Sequence, residues 1–331
     1  MPRSRKEMAK ETQVATGPAL PPISRSKLPD VLRFPLAVIL SLSLSSLLYS
    51  QAADFTAGEL AVVSRSLNEW WEVGGLVGWK TIELALGWVG NYDGIDLASL
   101  TLLTHLPPLA LLTSFYTIRP ATVITSLGID ILVTYLPFRL LRPLAAVHNS
   151  SAPKAAVPNR SIIHDVGVRT YTSLLAASIY SVTLFASLKT WLPVHLVIYF
   201  DGIKDISSTH DAILPILFLS SLPTGYAARE FIFTPSEGAS LDLGGIKATA
   251  FNPATATLGE TFLHTFWNYS PRTKSVIKRT AVLAAATAIN TCLQVFITIE
   301  GAEIDGALGW SGLWAGAAAL TGFAFWWVGN V

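Results

Sequence analysis

The feature that most limits this chain is its series of long apolar blocks, each close to the length that crosses a bilayer. A helix needs ~20 predominantly apolar residues to cross a ~30 Å hydrocarbon core. Such blocks run over 34–50, 97–116, 121–138, 166–188, 212–228, 280–299 and 307–328. A water-soluble fold must cover its exterior with polar groups, and these blocks hold too few. Composition agrees where it matters. Only 14% of the residues are charged, against about 25% in an average soluble domain. A soluble globular enzyme, a disordered chain and a secreted disulfide scaffold are excluded. The single cysteine, Cys292, lies inside an apolar block, so neither an internal disulfide nor a cysteine-based metal site is available.

The stretch 71–90 is less clear, because it carries Glu72, Lys80 and Glu83. Basic residues near span ends set orientation, whereas acids count for little. If 71–90 crosses, 17 of the 23 Lys and Arg residues face one side and four face the other. Without that crossing, the large basic loops fall opposite the basic N-terminal tail. The expected fold is therefore all-α, a polytopic transmembrane bundle of about eight spans over 34–328. Residues 1–33 read as a disordered basic cytosolic tail, and 139–165 as a cytosolic linker. Residues 229–279 read as a small cytosolic loop subdomain, with extended turns over 231–251 and an amphipathic helix over 255–269. The alternative for 71–90 is a helix lying in the interface. Its charges are tolerable inside a bundle if Lys80 and Glu83, three apart and so on one helix face, pair with each other.

Small residues mark where helices approach closely. Gly74 with Gly78, and Gly312 with Gly316, are GxxxG pairs that suit internal packing or a homodimer contact. Pro107 and Pro108, and Pro215, lack an N–H and are expected to kink their helices.

Chemistry-bearing motifs are scarce. There is no P-loop, GxSxG, HExxH or CxxC. Two constellations remain. His105 and Asp130 lie about equally far from the turn at 117–120, so at 1.5 Å per residue they reach similar depths and can form an intramembrane polar pair. Their roles divide between proton relay or ligand binding and a structural clamp. The second group, His195, Asp201, Asp205, His210 and Asp211, falls on the luminal side. Convergence would suit proton transfer or a divalent cation, and divergence a plain loop. The spacing fits no metal signature, so no metal, cofactor or catalytic residue is assigned. Arg272, Lys274, Lys278 and Arg279 form a basic cluster suited to an anionic membrane surface.

Three classes compete: a non-enzymatic scaffold, assembly or biogenesis factor of an endomembrane such as the endoplasmic reticulum; a transporter or channel with a polar path near His105 and Asp130; and a membrane-embedded enzyme acting on a lipid-like substrate. Absent motifs and few intramembrane charges favour the first. The expected partners are the lipid bilayer and other membrane proteins or a second copy, with no nucleic acid.

Overall fold

A computed structural model describes residues 29–66, 69–153, 157, 159–239, 257 and 269–329. Among these residues the fold is all-helical, with no strand and only two isolated bridges. The long helices are α1 (Asp30–Val63), α2 (Trp70–Val89), α3 (Gly94–Phe115) and α4 (Pro120–Leu141). After the short α5 (Arg160–His164) comes the long α6 (Val166–Lys189), then two short helices, α7 (Leu192–Tyr199) and α8 (Ser207–His210). Then follow α9 (Leu214–Ser220), α10 (Leu222–Ala228), a π-turn (Arg229–Phe233) and α11 (Thr234–Gly238). The long helices α12 (Pro271–Thr298) and α13 (Ile304–Val328) complete the bundle. Among the described residues, five helices are long and apolar enough to cross a membrane: α1 through Val31–Thr56, α3, α4, α6 and α12.

Polar contacts sort the connections into two ends. At one end Ser64 bridges Ile299 and Phe200 bridges Ala302, while Asp201 N–H donates to Gly301 O at 2.8 Å. At the other, Arg142 caps the C-terminus of α2. Its guanidinium donates to the carbonyls of Gly87 (3.1 Å), Trp88 (2.9 Å) and Tyr92 (2.9 Å) and lies 4.6 Å over the Trp88 ring. Gly87 and Trp88 lie in the last turn of α2, where a cation meets the helix dipole favourably.

Several expectations need correction. The first block does not end at residue 50, because α1 continues to Val63. Its Glu59 accepts from Thr122 Oγ1 at 2.8 Å and pairs with Arg119 at 2.9 Å, at the N-terminus of α4. The block 212–228 is not one helix. It breaks at Ser221, and each of the two pieces opens on a proline in its first turn, where a missing N–H is harmless. The prolines in α3 do not interrupt it. Pro108 has no N–H for the carbonyl four residues back, and Asn290 Nδ2 supplies the missing donor to Thr104 O at 2.8 Å. Residues 231–238 are not extended; they form the π-turn and α11 and are largely buried. The linker reading of 139–165 also fails, since His148, Val157 and Ile163 are buried in it. The expected helix 255–269 and the tail through residue 28 lie outside the described residues.

Candidate functional site

The expected polar pair belongs to a larger network that joins five helices. His105 on α3 places Nδ1 at 3.0 Å from Asp130 Oδ2 on α4. Its Nε2 lies 3.2 Å from Glu83 Oε1 on α2. Glu83 Oε2 accepts from Lys80 Nζ at 3.0 Å, one helical turn back. Asp130 Oδ1 accepts from the Tyr49 hydroxyl of α1 at 2.9 Å. From α12, Asn290 Oδ1 accepts from Trp79 Nε1 at 2.8 Å and from Gln294 Nε2 at 3.1 Å. The Gln294 amide also reaches to 3.3 Å from His105 Nδ1, further than the Asp130 oxygen.

An imidazole with a carboxylate at each nitrogen donates to both when both nitrogens carry protons. His105 as imidazolium, with Lys80, then balances Glu83 and Asp130 charge for charge. Isolated charge in an apolar interior is expensive, and mutual pairing with full hydrogen bonding is what makes it tolerable. The side chains of Glu83 and His105 are 2% and 5% exposed and that of Asp130 is 17% exposed, so these polar groups face one another across helix interfaces. Sequence reasoning brought Lys80 and Glu83 together, and His105 and Asp130 together, as separate pairs. It missed Glu83 as the link between them, and also Tyr49, Trp79, Asn290 and Gln294. Asn290 and Gln294, four apart in an apolar block, were a readable signal; Tyr49 was not.

A second cluster closes one end of the bundle. Asp93 N-caps α3, accepting from Asp96 N–H at 2.9 Å. Its other oxygen accepts from Ala145 N–H at 2.9 Å and His148 Nδ1 at 2.7 Å. His148 Nε2 lies 3.7 Å from Glu230 in the π-turn, and Glu230 pairs with Arg229. Both oxygens of Asp96 accept from Arg279, at 2.7 and 3.0 Å. That guanidinium packs against both the Tyr92 and Phe231 rings, 4.7 and 5.1 Å from their centroids. Burial would push the His148 imidazole down, but Asp93, with Asp96 and Glu230 beyond it, holds it above its ordinary value. Burial would raise Asp93; the hydrogen bond and charge of His148 hold it below its ordinary value. Asp93, Asp96 and His148 have the proximity of a metal-ligand set. Yet Arg279 occupies both Asp96 oxygens, while the Asp93 oxygens hold backbone N–H groups and His148. The arrangement works as a charge-paired clamp.

The five residues expected on the luminal side do not form one converging set. The His195 ring sits between Trp191 and Tyr199, with Nε2 3.4 Å from Gly306 O. Asp201 is bonded through its backbone to Gly301. Asp205 accepts from the N–H and hydroxyl of Ser207 at 2.7 and 2.8 Å. His210 offers its carbonyl to Lys189 Nζ at 2.7 Å, and Asp211 lines a cavity described below. The expected basic surface cluster is divided. Arg279 is consumed by Asp96, and Arg272 by Glu237 and the Gly329 carbonyl. Lys278 is exposed and Lys274 partly so. A Cβ added at Gly74, Gly78, Gly312 or Gly316 would meet nothing within 4 Å, so these are not the close helix contacts inside the bundle. Close contacts fall instead at Gly225, against the α6 backbone, at Gly306, against Tyr199 and Phe200, at Gly309, against His195, and at Gly322, against Thr280.

Fold and site together define a class: a helical bundle with several helices suited to a bilayer, locked internally by ion pairs. Within the chain, residues 165–328 match the family model described as Bouquet formation protein 3 C-terminal domain. No curated protein and no solved structure matches the chain. The matched stretch begins at Asp165, the N-cap of α6, and ends with the last residue of α13. It contains Asn290, Gln294 and the group His195 to Asp211, but not His105, Asp130, Glu83 or Lys80.

Proposed function

We propose that this chain is a non-enzymatic scaffold or assembly component of an endomembrane, crossing it eight times with both termini in the cytosol. One observation carries the non-enzymatic part. The ionisable groups in the apolar interior spend their hydrogen bonds on one another, and the expected luminal group does not gather into a converging set: His195 lies against the Gly306 carbonyl and Asp205 binds Ser207. A catalytic centre needs acids and bases free to reach a reacting atom. The eight passages add α2, the broken α9–α10 pair and α13 to the five apolar helices. They are supported by the sorting of the connections into two ends and by the basic asymmetry of the sequence. The matched family model carries bouquet formation in its name. That process is where partners of this chain are to be sought.

The test is biochemical isolation. The tagged chain, extracted in mild detergent, is expected to elute with other membrane proteins at fixed stoichiometry. Elution as a lone chain would overturn the scaffold reading. A transport reading would gain from uptake into vesicles that is lost in His105→Gln at normal abundance.

A further inference from the structure

Behind α9 lies a cavity of about 400 Å³. Its walls come from α3 (Leu106), the start of α4 (Val123), α6 (Leu184) and α9 (Leu217), and its floor is formed by Trp310 and Trp314 of α13. It exists because the chain between 212 and 228 is broken. The helix α9 is short and has no buried residue, so it forms a thin outer wall. Interiors close-pack, and an unfilled space of this size forfeits the contacts of every residue that lines it. Water is a poor filling, because a buried water needs two to four polar partners and these walls are mainly aliphatic and aromatic.

The surroundings indicate what fills it. Ile124, Ile213 and Ile216 line the cavity and are 69%, 55% and 62% exposed. The apolar lining is therefore continuous with the outward apolar surface of the bundle. Charges of both signs stand at the luminal edge. Asp211 lines the cavity. Lys189 Nζ donates to the carbonyls of Thr209 and His210 just before it, at 3.1 and 2.7 Å. Lys189 and Asp211 put one charge of each sign at this edge, which complements a headgroup that carries one charge of each sign. An anionic headgroup would pair with Lys189 and leave Asp211 without a counter-charge, and a sterol hydroxyl would use neither charge.

We propose that this cavity is a lipid site that takes one acyl chain of a zwitterionic bilayer phospholipid, with its headgroup at the Lys189–Asp211 rim. The inference rests on the reading of the chain as a membrane-spanning bundle. The full-length protein would be reconstituted in phosphatidylcholine vesicles doped with phosphatidylcholine carrying a diazirine in its acyl chain, irradiated, and mapped by mass spectrometry. Adducts are expected to concentrate in peptides covering 106–124 and 212–224. Ala110→Phe and Ala212→Phe, which fill the cavity from two walls, should each lower those adducts several-fold and leave adducts at outward positions of α1, such as Ile39 and Leu47, unchanged. Asp211→Lys should shift competition toward phosphatidylglycerol. Adducts spread in proportion to outward apolar surface, adducts that survive in both filling variants, or displacement of the probe by cholesterol would each overturn the proposal. Flotation separates the two levels of failure. A chain that does not enter the vesicles defeats the membrane-spanning reading, whereas one that enters without cavity labelling defeats only the lipid site.

Discussion

His105 and His148 share one device: each imidazole stands between two carboxylates, Asp130 and Glu83 in the first case, Asp93 and Glu230 in the second. The consequence at His105 is strong coupling. Asp130→Ala and His105→Ala should each cost about 1–3 kcal/mol in detergent thermal melts, because each leaves a buried polar partner unmet. The double variant should cost less than the sum, and strict additivity would contradict the contact. At His148 the effect depends on pH. The imidazole is held above its ordinary value, so its stabilising contribution is complete below that value, near pH 6.5, and fades as pH rises through the folded-state value. Asp93 is held below its ordinary value, so its contribution is present at neutral pH and lost only as strong acid titrates it. The melting temperature of the parent should therefore exceed that of His148→Gln by most at mildly acidic pH. The gap should narrow as the solution becomes alkaline, and a gap that widens instead would refute the charge pairing.

Among the elements, α3 shows how a membrane helix tolerates two adjacent prolines. Asn290 from α12 supplies the donor that Pro108 lacks. Asn290→Leu should cost about 1–3 kcal/mol by orphaning the Thr104 carbonyl and the Trp79 N–H. Adding Pro108→Ala restores a backbone donor, so the double variant should recover part of that loss in the same melts. Glycines separate in a similar way. At Gly225 a Cβ would stand 2.3 Å from Ser173 O and 2.7 Å from Ala177 N, both backbone atoms that cannot swing aside. Gly225→Ala is expected to destabilise by at least about 1–3 kcal/mol through overpacking. Gly312→Ala meets open space and should be neutral or slightly stabilising, since alanine is the better helix former. Equal melting temperatures for the two variants would contradict this packing of α10 on α6.

At the scale of the whole molecule, the two sets of connections predict topology. Tags at the two termini should show the same protease protection in sealed microsomes, and opposite protection would exclude an even number of passages. The triplets starting at Asn149 and Asn159 belong to the end that carries the basic loops, as does Asn268 on the sequence reading. None should be glycosylated. A mass shift on deglycosylation that vanishes in Asn159→Gln would invert the orientation.

Apolar blocks near the thickness of a bilayer determined by themselves that the chain folds as helices, because backbone groups in hydrocarbon must bond within their own segment. Sequence separation also placed His105 and Asp130 at one depth, since they flank a short turn between two consecutive helices at similar distances from it. Only tertiary structure decided that Glu83 completes His105, because rotation about the helix axis determines which face of α2 meets α3. It likewise decided that Asp93, His148 and Glu230 meet, since loops carry no periodicity from which a partner can be read. The break at Ser221 has the same origin. Pro215 and Pro223 permit it, but the packing of α10 on α6 through Gly225 sets where the chain bends, and so opens the cavity behind α9.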